Sequence, residues 1–278
     1  MSESLRQKLA RLRREPEGTP SVREQLARRA AREPAVLLPE RLVREDLVLA
    51  RRTSGERHGG HLLCDALLAD RLVLAREARD ERLATLDPAR ALYLDTETTG
   101  LSGGSGTYVW LVGLGSFEAG QFGVWQGFLP EPAEERALLE LVARRIAAAD
   151  YVVSFFGKSF DRHRLEDKMR LHGIAPPFEG KPHLDLYWPL RRRYRGQFAD
   201  CRLRTLEQGL CGVEREDDLP GSFAPAAWFD YLHGRPHRLE GVFQHNLDDV
   251  KSLVTLLAHV GREVPLPSRE PAPEESEP

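Results

Sequence analysis

Three β-forming segments follow one another between residues 91 and 128, with only glycine-containing turns between them. Ala91-Leu92-Tyr93-Leu94 is a short apolar run, and residues 107–113 are rich in β-branched and aromatic side chains. A third such segment, residues 122–128, follows the turn at Ala119-Gly120. Short runs of this composition are typical of strands, and short connections favour antiparallel neighbours. The sequence therefore predicts a three-stranded antiparallel meander.

The hydrophobic period becomes helical after residue 130. An acidic first turn at residues 132–135 begins a helix whose apolar stripe runs from Leu138 to Ile146. The pattern then predicts, in order, a strand at 151–155, a helix at 161–172, a strand at 183–186 and a last helix at 242–260. The order β-β-β-α-β-α-β-α predicts an α/β fold, in which the meander is extended by parallel strands into a mixed sheet flanked by helices.

The two ends of the chain differ from this central pattern. Residues 1–60 contain 14 Lys and Arg against 9 Asp and Glu, and several prolines divide their apolar periodicity. We therefore predict a basic, mainly helical N-terminal region at 1–88, as an appendage or dimerisation arm rather than a nucleic-acid arm, because basic runs are usually solvated faces. An α/β domain at 89–262 and a disordered acidic tail at 263–278 complete the predicted organisation.

Composition excludes several classes of protein. The formal net charge of −3 does not by itself indicate a nucleic-acid partner. Cys64, Cys201 and Cys211 are widely spaced, which argues against a disulfide framework and a cysteine zinc site. No apolar stretch approaches the length of a membrane span, and the N-terminus lacks the apolar region of a signal peptide. The sequence therefore predicts a cytoplasmic protein with no membrane partner.

Two carboxylates stand at the end of the first strand of the meander. Asp95 and Glu97 are separated by one residue, and alternate side chains of an extended chain point the same way. Like charges this close repel each other, and a divalent cation relieves the repulsion. Mg²⁺ in particular is held by carboxylate oxygens, water and substrate phosphate. Taken alone, the segment is as compatible with an ordinary strand-to-turn junction as with a metal site.

Two later segments carry further candidate ligands. Asp161 opens a predicted helix after a buried strand and a glycine turn, although Asp is also a common helix cap there. His245 and Asp249 are four residues apart on the last helix, so they share a face. Each group alone is compatible with an ordinary surface role. Their combination with Asp95 and Glu97 favours a metal-dependent site.

The ordered pattern of these groups resembles the DEDD exonucleases, which have a ribonuclease H-like fold. Within that superfamily the chain is most similar to the YprB-type bacterial ribonuclease H-like proteins. The resemblance covers about residues 90–260. It rests on the segments Leu94–Leu101, Gly157–Asp161, His183–Leu186 and His245–Val250.

The resemblance implies both an activity and a set of ligands. Asp95, Glu97, Asp161 and Asp249 would hold two Mg²⁺ or Mn²⁺ ions about 4 Å apart, which align the attacking water and stabilise the leaving 3′ oxygen. The implied protein is a metal-dependent nuclease that hydrolyses phosphodiester bonds, as a 3′–5′ exonuclease on DNA or RNA. A single-stranded 3′ end is the expected substrate.

Two positions depart from the resembling pattern. The tyrosine-type branch has Tyr four residues before the last Asp and the histidine-type branch has His five before it, whereas His245 combines the histidine with the spacing of four. A neutral imidazole can serve as general base near pH 7, so His245 is a candidate for contacting the attacking water. Phe156 stands where similar sequences often place Asn. Core packing is the favoured role for Phe156, with stacking on a base as the alternative.

The remaining candidates for substrate binding are Thr98, Phe156, Lys158, Asp185 and Arg192. Asp185 ends a short strand and could support the metal ligands indirectly, or act as a cap or an ion-pair partner. Arg192 belongs to the segment Arg191–Arg195, which contains four arginines and one tyrosine and follows closely after Tyr187 and Trp188. Such a mixture of cations and aromatic rings can follow a phosphate backbone and stack on bases. The alternative for that run is a solvated helix face.

Two other functions stay open at this point. The same metal geometry would serve an endonuclease acting on branched DNA or on RNA/DNA hybrids. A nucleic-acid-binding module that has lost catalysis is the second alternative, because His245 and Phe156 are nonstandard. The glycine-rich turn at 100–106 is not a phosphate-binding loop, since it lacks the Gly-Lys-Ser/Thr ending and leads into a strand.

Overall fold

The computed structural model of the protein describes residues 48–53, 57–100, 106–215, 219 and 221–262. Its strands are β1 (Val48–Thr53), β2 (Arg57–His58), β3 (His61–Leu62), β4 (Ala91–Thr98), β5 (Val109–Glu118), β6 (Gln121–Phe128), β7 (Tyr151–Ser154) and β8 (His183–Asp185). Its α-helices are α1 (Arg71–Ala78), α2 (Glu135–Ala148), α3 (Asp161–Leu171), α4 (Tyr187–Tyr194), α5 (Leu203–Cys211), α6 (Ala224–Leu232) and α7 (Leu239–Val260). The predicted tail at 263–278, most of the N-terminal region and residues 101–105 of the glycine turn lie outside the described residues.

The main sheet has the strand order β1-β6-β5-β4-β7-β8. Strands β4, β5 and β6 pair antiparallel, whereas β4 pairs with β7, and β7 with β8, in parallel. The predicted meander and its parallel extension are therefore confirmed. The turn between β5 and β6 uses Ala119 and Gly120, both with positive φ (49° and 80°), the conformation that matches the twist of a tight hairpin.

The prediction of a mainly helical region at 1–88 is wrong for residues 48–53. They form β1, which pairs antiparallel with β6 at the edge of the main sheet. An edge strand presents unpaired backbone groups, and β1 satisfies those of β6 where a helix could not. The described part of 57–88 consists of the short β2–β3 hairpin, 3₁₀ segments and α1.

Alternate residues of β4 face different cores. Tyr93 packs in the cluster that includes the apolar face of α7, whereas Leu92 and Leu94 pack in the cluster formed with α2, α3 and α6. The sheet is thus covered on both faces, as in other α/β folds. Continuing the alternation toward the carboxyl end of β4 directs Asp95 to the α7 side and Thr96 to the α3 side.

Residues 57–88 pack on the α7 side of the sheet. The backbone N–H of Gly60 donates to Cys211 O at 2.8 Å, and that of Asp70 donates to Gly261 O at 3.0 Å. Leu63 and Leu74 are buried in the same core as α7. The domain boundary at residue 88 stays a prediction. In the part of the chain described here, no helix combines the length and apolarity needed to cross a membrane.

Candidate metal and nucleic-acid site

The predicted carboxylates come together at the carboxyl ends of the parallel strands. Asp95 and Glu97 lie in β4, Asp161 is the first residue of α3, and Asp249 lies in the middle of α7. Between Glu97 and Thr98 the pairing with β5 shifts by one residue, a β-bulge that re-aims side chains at the end of β4. Three elements far apart in the sequence therefore contribute charge to one place.

The electrostatics of Asp95 and Glu97 show how closely these charges interact. Burial raises the pKa of both carboxyls well above their usual range, and repulsion from Asp249 and Asp161 raises both further. The charge of Glu97 adds to the shift of Asp95, while a hydrogen bond from Asn246 opposes it. A half-buried group of carboxylates that repel one another favours a positively charged ligand.

Asn246 fixes the orientation of Asp95. Its Nδ2 donates to Asp95 Oδ2 at 2.8 Å, and its Oδ1 accepts from Gln126 Nε2 at 2.8 Å. Gly113, the residue paired with Asp95 in β5, leaves the space for this amide, since a Cβ there would overlap Asn246 Oδ1. Sequence reasoning missed this arrangement. The available signal was a glycine inside a β-forming run, which often marks the close approach of another group.

Asp161 is held by the neighbouring strand and turn. Thr96 Oγ1 donates to Asp161 Oδ1. Burial raises the pKa of Asp161 to about 6, although the bond from Thr96 opposes this shift. A Cβ on Gly157 would lie 2.7 Å from Asp161 Oδ2 and 2.6 Å from Ser154 Oγ, so only glycine fits beside this carboxylate.

The buried side chain of Arg215 forms an ion pair with Asp249. Nη2 of Arg215 lies 2.6 Å from Asp249 Oδ1 and donates to Glu207 Oε2 at 2.7 Å. The side chains of Arg215 and Glu207 are 4% and 0% exposed. Burial lowers the pKa of Arg215, but the two carboxylates overcome this and raise it above its ordinary value. Neither Arg215 nor Glu207 belongs to a recognisable motif, so sequence reasoning missed both residues.

His245 lies beside the same ion pair. Its Nδ1 is 3.4 Å from Arg215 Nη1, and because a guanidinium only donates, Nδ1 accepts. In the neutral ring the proton is then on Nε2, which faces Asp249 Oδ2 at 3.5 Å. In this arrangement both ring nitrogens of His245 are engaged by neighbouring side chains.

Asp185 organises the turn that carries Phe156. Its Oδ1 accepts from the backbone N–H groups of Phe156 (2.7 Å) and Tyr187 (3.1 Å), and its Oδ2 accepts from that of Lys158 (3.1 Å). Burial raises the pKa of Asp185, and these three bonds oppose the shift. Of the roles considered for Asp185, the structure shows that of a cap, because its carboxylate accepts hydrogen bonds from backbone N–H groups of the turn. The Lys158 side chain is exposed.

The prediction that Phe156 packs in the core is wrong. Its side chain is 44% exposed, and its backbone has a φ of +60°. Thr98 Oγ1 donates to Gly100 O and so stabilises the start of the glycine turn. Arg192 donates to Glu77 O of α1, which anchors α4 rather than adding a cation to the carboxylates.

The donor chemistry of the site fits a hard divalent cation, since buried, mutually repelling carboxylate oxygens are the ligands such ions prefer. The positions of these side chains match a metal site less completely than their donor chemistry does. Among the residues that the structure describes, no group of three His, Cys, Asp or Glu side chains stands as a ready metal site. One carboxylate oxygen of Asp161 accepts a hydrogen bond from Thr96, and one oxygen of Asp249 is paired with Arg215. Binding an ion at Asp249 therefore requires this carboxylate to turn from, or share, its arginine.

The fold and the site place the chain in a known class. A family model described as RNase_H superfamily matches residues 92–261, and the chain belongs to that superfamily. The chain is also 32% identical over 174 residues to a Bacillus subtilis (strain 168) protein described as uncharacterized protein YprB. The predicted resemblance to YprB-type ribonuclease H-like proteins is thereby confirmed.

The match with YprB is partial on both sides. It covers 62% of this chain and 42% of YprB, so the chain spans less than half the length of that relative. Among solved structures, the family B DNA polymerase of the archaeon Pyrobaculum calidifontis matches with 17% identity and a TM-score of 0.48. That match covers 60% of this chain and 24% of the polymerase.

Proposed function

We propose that the protein is a metal-dependent nuclease that removes nucleotides from single-stranded 3′ ends of DNA or RNA. The observation that carries the proposal is the convergence of Asp95, Glu97, Asp161 and Asp249, seen in the way their charges raise the pKa values of Asp95 and Glu97. Membership of the RNase_H superfamily supports the same chemistry.

The four carboxylates are the proposed ligands of one or two Mg²⁺ or Mn²⁺ ions. When bound, such ions polarise the phosphate and make water a stronger nucleophile at neutral pH. Asn246 holds Asp95 in one orientation, and Gln126 holds Asn246 in turn. Hydrolysis then depends on oxygen donors fixed before the substrate arrives, which is the main source of charge stabilisation in such sites.

His245 is the proposed general base. To accept a proton from water it must present an unprotonated nitrogen, which means leaving either Arg215 or Asp249. A change in the Arg215–Asp249 pair would therefore affect both the metal ligand and the base. Lys158 and Thr98, near the ends of β7 and β4, are proposed to contact the substrate backbone.

Hydrolysis of end-labelled oligonucleotides tests the proposal. We expect single-stranded DNA or RNA with a free 3′ end to be shortened in Mg²⁺ or Mn²⁺ but not in EDTA. Asp95→Asn and Asp249→Asn should each lower the rate by at least about a hundredfold. Asp248→Asn is the matched control, since Asp248 is the neighbour of Asp249 on α7 and accepts from Gln244 and Lys251.

The same assay separates the alternatives. Cleavage of circular or 3′-blocked strands would show an endonuclease instead of a strict 3′–5′ exonuclease. Binding without any hydrolysis in either metal would indicate a module that lacks catalysis. Equal rates for wild type, Asp95→Asn and Asp249→Asn would show that the carboxylate site is wrongly assigned.

A further inference from the structure

An exposed aromatic surface adjoins the carboxylates. Phe156 and Trp188 are 44% and 42% exposed, and Tyr187 lies between them. Ring centroids of Phe156 and Tyr187 are 4.9 Å apart, and those of Tyr187 and Trp188 are 5.1 Å apart, in edge-to-face geometry. Arg191 places its guanidinium 5.7 Å from the Tyr187 ring and 6.0 Å from the Trp188 ring. We call these four side chains the aromatic platform.

The backbone of the platform is fixed at a cost in stability. Phe156 has φ +60°, a left-handed conformation that is disfavoured for a bulky residue by about 1–2 kcal/mol. The buried Asp185 carboxylate holds it there by accepting from Phe156 N, and accepts from Tyr187 N as well. One carboxylate therefore ties both halves of the platform together. The surrounding structure holds the strained backbone of Phe156, whose ring is exposed. Such strain often marks a functional site, which here would be a ligand for the ring.

The platform is next to the proposed site of hydrolysis. Gly157 follows Phe156 and lies against the Asp161 carboxylate, since a Cβ on it would be 2.7 Å from Asp161 Oδ2. Lys158 follows with an exposed side chain. Aromatic faces with neighbouring cations are what unpaired bases and their phosphates require, because every base has a stacking face and every phosphate a negative charge.

We propose that the aromatic platform stacks an unpaired nucleobase of a single-stranded nucleic acid. The inference rests on the proposed function, because the carboxylates beside the platform identify the strand as the ligand. Phe156 and Trp188 supply the stacking faces, and Arg191 and Lys158 supply positive charge for the flanking phosphates. The platform selects a strand whose bases are free, since a base inside a duplex does not expose its face.

Trp188 makes the proposal directly measurable. The other three tryptophans, Trp110, Trp125 and Trp228, are 0%, 4% and 0% exposed, so quenching by a ligand at the surface reports on Trp188. The titration uses the full chain in EDTA, which prevents hydrolysis, with an oligothymidylate and an abasic oligonucleotide of the same length. We expect the oligothymidylate to quench the fluorescence and to bind about tenfold or more tightly than the abasic strand.

Phe156→Gly separates stacking from folding. Glycine adopts positive φ without strain, which offsets the loss of a half-exposed ring, so the urea midpoint of this variant should stay near that of wild type. Its affinity for oligothymidylate should nevertheless fall by about tenfold, with no change for the abasic strand. Trp188→Leu should show a similar loss of affinity by fluorescence anisotropy of a labelled strand. Phe229→Ala, at an exposed aromatic on α6, is the control and should bind as wild type.

The outcomes distinguish this inference from the proposed function. If wild type hydrolyses single strands but binds thymidylate and abasic strands equally, the platform is not a base subsite and the nuclease proposal stands. Base-dependent quenching without hydrolysis would keep the platform and remove the nuclease proposal. Unchanged affinity in both Phe156→Gly and Trp188→Leu, or self-association through these residues, would overturn the inference.

Discussion

Arg215 connects the stability of the site with the metal binding that we propose for it. Its guanidinium bridges Asp249 and the fully buried Glu207, and Ser252 Oγ also donates to Glu207. Removing one member of a buried ion pair leaves an uncompensated charge and costs about 3–5 kcal/mol. Removing the charges of Arg215 and Glu207 together avoids that penalty at Glu207, while Asp249 loses its arginine and its carboxylate becomes available to a cation.

We therefore expect opposite results from one substitution and from two. Arg215→Met should lower the free energy of unfolding by about 3 kcal/mol or more. Arg215→Met combined with Glu207→Gln should recover part of that loss, because only Asp249 is then left without its cation, and should bind Mn²⁺ more tightly than wild type, on the order of tenfold, about 1.4 kcal/mol. Urea denaturation and calorimetric Mn²⁺ titration measure the two quantities. Weaker Mn²⁺ binding by the double variant would show that Arg215 helps rather than competes with the ion.

Adding one methyl group at Gly113 tests whether Asn246 supports Asp95. The Cβ of Gly113→Ala would overlap the Asn246 amide, so either Asn246 leaves Asp95 or β5 shifts. We expect a loss of about 1–3 kcal/mol in stability and a marked fall in hydrolysis. Gly123→Ala is the control on the neighbouring strand, because an added Cβ there meets no described atom within 4 Å. Equal activity of the two variants would contradict the role given to Asn246.

At the scale of elements, the β2–β3 hairpin is tied to α7 by a buried histidine. His58 is 5% exposed, and its Nε2 lies 2.8 Å from Ser252 Oγ. Burial lowers the pKa of His58 to about 4, and the charges of Lys251 and Arg215 lower it as well, against the opposing effect of Asp248. The folded state therefore favours the neutral ring.

This depressed pKa makes the hairpin sensitive to acid. Its contribution is complete above pH 6.5, the ordinary pKa of histidine, and is lost as the pH falls from there toward about 4, because the unfolded chain takes up the proton first. Wild type should lose about 2 kcal/mol more stability between pH 7 and pH 5 than His58→Gln. Urea unfolding at the two pH values measures the difference. Parallel losses in both proteins would contradict the pKa assigned to His58.

Local pattern was enough to predict some elements and not others. β4, α3 and α7 were predictable because their apolar periodicity and end signals are local, and the residue types at their ends indicated the carboxylates. β1 was not, because an edge strand depends on a partner far along the chain. The contacts of Arg215 and Gln126 were not predictable for the same reason, because they join residues that are distant in the sequence. The left-handed backbone of Phe156 was not predictable either, because a bulky aromatic residue rarely adopts positive φ.

At the scale of the whole molecule, the fold sets carboxylates from β4, α3 and α7 at one edge of a sheet whose two faces are covered by helices. The cores on the two faces hold these elements in place, since Tyr93 packs with α7 and Leu94 with α3. We propose that this edge binds divalent metal through Asp95, Glu97, Asp161 and Asp249. The proposed hydrolysis depends on this binding.

Calorimetric titration of the full chain with Mn²⁺ at pH 7 tests it most directly, without relying on any substrate. We expect saturable binding by wild type and by Asp248→Asn, and binding weakened at least about tenfold in Asp95→Asn and in Asp249→Asn, since each removes a charged ligand. Circular dichroism of each variant shows whether its fold is kept. Equal Mn²⁺ affinity in all four proteins would show that these carboxylates do not hold the metal.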